Sequence, residues 1–295
     1  MLDQPREVFP PELEEVIFSL ALHADWESAQ HLILVAKRVN QWLIPQIYQV
    51  AILSGKWKPR VYLKNKRRAV SDEKKLTHYG KYVRHIMVYG PLVYAYDQGV
   101  HNVGETLLAC PHVFNVALWI TADKYDKILV AQLLTLRLTH LSFDIGAFKT
   151  VHAQDPPTLL PISFPSVTHF EHISSVNIIN HAEIRGYFPA LTHLALNPSV
   201  GNEMFTSPDI LKALNDRQMK ALIWYGNEVQ SPSPVEIPFP QNHRFDDPRI
   251  VMLAYGQGYL DTWYNGTRGG SSLWRVADKI IAARRVASHA QLLGD

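Results

Sequence analysis

The sequence predicts an α/β protein: a short helical module in front, a parallel sheet built by repetition behind it, and a capping helix at the end. Three observations carry that expectation. A four-residue phrase returns as "LTHL" at 138–141, "VTHF" at 167–170 and "LTHL" at 191–194. Prolines stand just ahead of several copies of the longer phrase around it. Apolar residues at helical spacing fill the stretches before and after the repeats.

The front of the chain reads "FPPELEEVIFSLAL" over 9–22. Two prolines precede a helix, and Glu12, Glu14 and Glu15 fall in its first turn, where the helix dipole favours negative charge. Leu13, Val16, Ile17, Leu20 and Ala21 make one apolar stripe, with Phe18 at its margin. A second helical stretch, "HLILVAKRVNQWLIPQIYQVAIL" over 31–53, aligns Leu32, Val35, Ala36, Val39, Trp42 and Leu43, and Pro45 should kink or end it. Residues 8–53 are therefore expected to form a helical module, too small to be comfortable alone. The basic run "KWKPRVYLKNKRR" over 56–68 reads as part of a solvated linker, 54–81.

The repeat occupies 82–258. Its phrases are "YVRHIMVYG", "HVFNVALWI", "LTHLSFDIG", "VTHFEHISS", "LTHLALNPS", "MKALIWYGN" and "IVMLAYGQG", aligned on Val83, Val113, Leu138, Val167, Leu191, Met219 and Ile250. The intervals are 30, 25, 29, 24, 28 and 31 residues. Most phrases carry apolar residues at places one, four and six, the L-x-x-L-x-L pattern of a leucine-rich repeat strand. Side chains alternate along a strand, so places four and six share the core face and place one turns inward at the entry. Places three, five and seven face the other way. Pro111, Pro165 and Pro189 sit two residues before place one, where a residue without an N–H marks the loop ahead of a strand. Between two phrases, 207–218 has a serine-proline start and an apolar stripe of Ile210, Leu211 and Leu214, a helix pattern. Strand and helix alternating at a steady period give a leucine-rich-repeat-like solenoid of degenerate spacing. An ordinary doubly wound sheet has no cause to repeat its loops.

This register sends His85, Asn115, His140, His169 and His193 to place three, stacked on the concave face about 4.8 Å apart. Trp119, His140, Asp144, His169, Glu171, His193, Asn197 and Tyr225 become the candidate target-binding residues there, with aromatic members suited to a protein interface. Spacing alone brings the histidines near one another without closing a tetrahedron, so no metal and no cofactor is expected. His172, at place six, is expected in the core. The proline-rich stretches 154–165 and 229–248 read as irregular loops. Finally, 259–295 forms a C-terminal cap: "GTRGGSS" reads as a turn, and 271–291 as a helix whose Leu273, Ala277, Ile280 and Ile281 cover the last strand.

The front module resembles an F-box. The residues that match are Pro11, Glu12, Leu13, Ile17, Phe18, Val35, Lys37, Val39, Trp42 and Leu43. Phe9 stands where the family opens with leucine, and Ala36 where it has serine or cysteine. With repeats behind it, the chain is similar to the F-box-like proteins common in basidiomycete fungi. The resemblance implies a substrate-recognition adaptor, not an enzyme. It would bind a Skp-type adaptor of a cullin ubiquitin ligase through Pro11, Leu13, Ile17, Phe18, Val35, Val39, Trp42 and Leu43, and present an unknown protein target. The alternatives are a stand-alone protein-interaction solenoid and a zinc-dependent enzyme on the histidine ladder.

The bulk numbers agree with such a role. A formal net charge of +2 gives no reason to expect nucleic acid as a partner. The single cysteine, Cys110, can form no internal disulfide, which fits a reducing cytoplasmic or nuclear compartment. No apolar run approaches the roughly 20 residues of a membrane helix, so no membrane partner is expected. No Walker lysine, G-x-S-x-G or H-E-x-x-H occurs.

Overall fold

The computed structural model describes residues 9–25, 29–54, 58–60, 78–89, 103–119, 127–146, 162–173, 181–196, 215–229, 233–238, 247–256 and 258–294. The chain is a mixed α/β protein, and its described residues centre on one ten-stranded sheet, ordered β2-β1-β3-β4-β5-β6-β7-β8-β10-β9. The strands are β1 (Val50–Ser54), β2 (Lys58–Arg60), β3 (His85–Tyr89), β4 (Asn115–Trp119), β5 (His140–Phe143), β6 (His169–His172), β7 (His193–Leu196), β8 (Ala221–Val229), β9 (Val235–Glu236) and β10 (Ile250–Gly256). From β1 through β10 neighbouring rungs are parallel and follow chain order; among the described residues only β2 and β9, at the two edges, pair antiparallel.

The phrases are in register. His85 pairs with Asn115, Asn115 with His140, His140 with His169, His169 with His193 and His193 with Ala221, so place three meets place three across the sheet. Places one, four and six do build the main core. Val83, Ile86 and Val88, then Val113, Val116 and Leu118, and the equivalent residues through Met219, Leu222 and Trp224, all lie in one buried cluster. His172, at place six of its rung, is buried as well, 1% exposed. The cluster is closed from outside by a helix at 103–108, here α4, then α5 (Lys127–Thr135) and α6 (His181–Tyr187), through Val103, Leu107, Leu129, Leu133 and Ile184. Turns occupy 111–112, 165–166 and 189–190, where the three prolines lie.

Several expectations need correction. Residues 50–54 are a rung and not the tail of a helix: Val50 pairs with His85, so the sheet begins inside the stretch assigned to the front module. The preceding helix runs through Pro45 and stops at Ile47. The basic run does not begin as a linker, because 58–60 form the edge strand β2. In the last phrase Ile250 pairs with Leu222, which puts it at place four, not place one; from Leu222 the interval is 250 − 222 = 28. The loop 229–248 contains β9, which pairs with β10 and covers that edge of the sheet. The helix pattern at 207–218 falls mostly outside the described residues.

The front module holds α1 (Pro11–Ala24), α2 (Ala29–Leu32) and α3 (Lys37–Ile47). Its own small core comprises Leu22, Val39, Leu43 and Ile47, with Phe18, Leu32, Ala36 and Trp42 packed against it. Gln46 Nε2 donates to Ser19 Oγ at 2.8 Å, and Arg38 pairs with Glu14 at 2.7 Å. Tyr48 stacks on Tyr79 at 3.9 Å, tying the module to the segment that enters β3.

The end of the chain folds back. Gly258, at φ 91°, ψ 157°, makes a turn that residues with a Cβ rarely adopt. It launches α7 (Tyr259–Thr267), and a turn at Gly269, φ 84°, leads into α8 (Leu273–Gly294). Arg275 donates to the carbonyls of Gly269 and Gly270 and fixes this turn. The stripe Leu273, Ala277 and Ile281 is buried as its periodicity requires. It does not simply cover the last strand. With Tyr259 and Tyr264 it forms a second cluster against Val50, Ile52, Met87, Ala117, Ala195, Ile223, Tyr225 and Leu253, the opposite face of the sheet. Among the described residues no helix is long and apolar enough to cross a membrane.

Candidate functional site

Two regions carry the residues singled out from sequence. The first is the front module. On α1, Leu13 is 52% exposed, Val16 53%, Ile17 47% and Leu20 63%; Leu34 and Val35, in the turn before α3, are 79% and 62% exposed. Pro11 is exposed as well. An amphipathic helix ordinarily turns its apolar stripe inward. Here α1 buries Leu22 and partly Phe18, and leaves the stripe outside. A cluster of this kind on a soluble surface marks an interaction site. Not all eight proposed adaptor contacts belong to it. Val39 is 1% exposed and Leu43 0%, because they are the centre of the module's own core; Trp42 and Phe18 are partly buried beside them. Leu34, in turn, was not among the candidates. It lies outside the helical spacing that singled out the others.

The second region is the place-three face. The histidines do form a ladder. His140 and His169 stack at 4.2 Å and 13°, and His169 and His193 at 4.1 Å and 8°. The threonine before each histidine explains the alignment. The hydroxyls of Thr139, Thr168 and Thr192 donate to the carbonyls of Phe114, Thr139 and Thr168 on the preceding rung. Each hydroxyl also holds the Nδ1 of the following histidine, at 2.9, 2.8 and 2.7 Å. The phrase Thr-His thus has a physical meaning: threonine locks the ring orientation, and identical rungs give parallel rings. A threonine hydroxyl both donates and accepts, so the contact fixes the orientation of the ring whichever of its nitrogens carries the proton. At the start of the ladder Asn115 Nδ2 donates to His85 Nδ1 at 3.2 Å, which puts the His85 proton on Nε2.

The ladder is not an open surface. α7 and α8 lie on it, so the proposed concave target face is corrected: the side chains point away from the main core as expected, but into a second interior. His193 is 5% exposed, and its Nε2 meets Asp278 of α8 at 3.1 Å. Trp274 packs edge-on against His169 at 5.1 Å. Glu171, 3% exposed, accepts hydrogen bonds from Ser142 Oγ at 2.5 Å and from the Tyr259 hydroxyl at 2.6 Å. Trp119 stacks on Tyr259 at 3.4 Å. Tyr225 is fully buried, and its hydroxyl donates to the His172 carbonyl. Asp144 accepts the Gly146 N–H at 2.8 Å and caps the helical residues that begin at Ile145. Asn197 lies outside the described residues.

Burial holds these imidazoles neutral. It pushes His85 down to about 3, His140 to about 4 and His169 to about 2, with neighbouring histidines lowering each of the three further. His193 is lowered by burial as well, with the Asp278 bond acting against the shift. The Tyr259 hydroxyl is raised well above its usual range by burial and then by Glu171. Cys110, buried in the main core, is pushed up to about 12. Parallel stacked rings send their nitrogens side by side and do not converge on one point. Among the described residues, no group of three or more histidine, cysteine or acidic side chains is placed to hold a metal ion.

Between the sheet and the two helices lies a cavity of about 310 Å³, reached by His85, Asn115, His140, Ser142 and Glu171 from the strands and by Tyr259, Trp263, Trp274 and Asp278 from the helices. Its helical half was not foreseen; the available signal was the aromatic content of 259–274, which exceeds what a plain cap needs. No protein-family model matches the chain, and no curated protein matches it.

Proposed function

We propose that the chain is an F-box-type adaptor: a leucine-rich-repeat-like solenoid behind a helical module that docks a Skp-type protein of a cullin ubiquitin ligase. The observation that carries this reading is the exposed apolar stripe of Leu13, Val16, Ile17 and Leu20, continued by Leu34 and Val35. A helical end cap would bury that stripe against the array; a docking module presents it. The order of the strands, parallel and in chain sequence, supports a solenoid behind it. On this reading Pro11, Leu13, Ile17 and Val35 touch the adaptor directly, and Val39 and Leu43 hold the module in shape. The chain performs no chemistry of its own. It presents a protein target to the ligase, using surface other than the ladder while α7 and α8 remain seated there.

The test is co-purification with a Skp-type adaptor, with Leu13→Glu and Ile17→Glu together as the variant. Binding by the wild type, abolished in a variant of unchanged thermal stability, is the expected result. A wild-type chain that folds and fails to bind the adaptor leaves the stand-alone interaction solenoid as the better reading.

A further inference from the structure

The cavity beneath α7 and α8 is separate from the apolar stripe on which the adaptor reading rests. We propose that it is a binding site for a small, uncharged, polyhydroxylated ring of the monosaccharide class.

Size comes first. A cavity of about 310 Å³ sits at the small end of the roughly 300–1,000 Å³ typical of ligand sites. The polar atoms come next. His85, only 7% exposed, lines the cavity, and with its Nδ1 taken by Asn115 the Nε2–H is the donor it has left. His140 has Nδ1 tied to Thr139, so Nε2 is the ring nitrogen it has left for a ligand in the cavity it lines. Neither Nε2 has a hydrogen-bond partner among the described residues. The two rings stand two rungs apart, roughly 10 Å at about 4.8 Å per step. The two nitrogens stand side by side above the sheet, so a ligand that meets both presents polar atoms at two separated points of its rim, as a ring bearing several hydroxyls does. A hydroxyl both donates and accepts, so it satisfies either nitrogen.

The walls fit the same class. Trp263, which meets the His85 ring edge-on at 6.4 Å, and Trp274 offer apolar surface to the C–H face of a sugar ring. Charge argues against anions: Glu171 and Asp278 outnumber Arg275 in the lining. The three are also engaged within the protein. Glu171 is held by Ser142 and Tyr259, Asp278 by His193, and Arg275 by two glycine carbonyls. What faces the ligand is a pair of neutral imidazole nitrogens between aromatic walls.

The experiment is calorimetric titration of the full chain with D-glucose, D-galactose, D-mannose and N-acetyl-D-glucosamine, beside inorganic phosphate, choline and uracil. One of the sugars is expected to bind with 1:1 stoichiometry. His140→Phe, which keeps the stacked ring, and Asn115→Leu should each weaken it by roughly tenfold, the loss of about one hydrogen bond, at unchanged secondary structure. Magnetisation transfer from the bound sugar to the His85 and His140 ring protons locates it without any variant. The proposal is overturned if no sugar binds, if phosphate, choline or uracil binds instead, or if the bound sugar gives no transfer to those rings.

Discussion

Acid should loosen this protein, and the ladder sets where. His85, His140 and His169 are held neutral in the folded state, at about 3, about 4 and about 2, first by burial. Unfolded, each takes a proton near pH 6.5. Between those values the unfolded chain binds more protons, so stability rises with pH. The contribution is fully present above about pH 6.5 and is lost as pH falls below it, down to the folded values. From pH 7.5 to pH 5 each group spans about 1.5 units, at about 1.4 kcal/mol per unit, or about 2 kcal/mol. Three together cost roughly 6 kcal/mol, against the roughly 5–15 kcal/mol that keeps a domain folded. The charged groups that act on the ladder are Asp278, which favours the proton on His193, and Lys220, Arg84 and Arg268, which oppose protonation; Glu171 shares the face. The assay is urea unfolding followed by tryptophan emission and by far-ultraviolet dichroism at both pH values. His140→Phe should shrink the acid loss by about a third. Equal stability at pH 5 and pH 7.5, or a loss untouched by that variant, refutes the argument.

Three other outcomes follow from the packing. Leu43→Ala, at 0% exposure in the front module's core, should cost about 2–5 kcal/mol in denaturant unfolding, whereas Leu20→Ala, 63% exposed on α1, should stay within about 0.5 kcal/mol. Gly258→Ala forces a Cβ onto a residue at φ 91° and should lower stability by about 1–3 kcal/mol in thermal unfolding. Cys110, buried and pushed up to about 12, should resist thiol reagents at neutral pH until the chain unfolds, as counted by mass shift.

Much of the sheet was legible because its rule is local. Period-2 alternation separates Ile86 and Val88 from His85 and Met87 with no knowledge of the rest of the chain. Misreadings arose where two rules overlap. "IYQVAIL" extends the apolar stripe of α3, so the rung at Val50–Ser54 read as more helix. In "RIVMLAYG" two apolar alternations coexist, and only pairing with Leu222 decides between them. The covered face was missed for a different reason. Periodicity tells which side of α8 is buried, not against what. A hint was present: Met87, Ala117, Ala195 and Ile223 at place five are apolar, as Trp119 and Tyr225 are at place seven, which a solvated face has no need of. In the front module, helical spacing identified Leu13 and Ile17 together with Val39 and Leu43. It could not say which pair looks outward.

The returning end of the chain has a consequence for how the molecule is made. Each rung meets the one before it across about 24–35 residues, so the sheet can lengthen as synthesis proceeds. The bonds that seal the ladder, Tyr259 to Glu171 and Asp278 to His193, bridge 88 and 85 residues. Until those last segments leave the ribosome, a strip of imidazoles, alanines and aromatic rings stays wet. The nascent protein therefore passes through a long interval half-dressed, and whatever shields that strip in the meantime must give way to the chain's own closing helices.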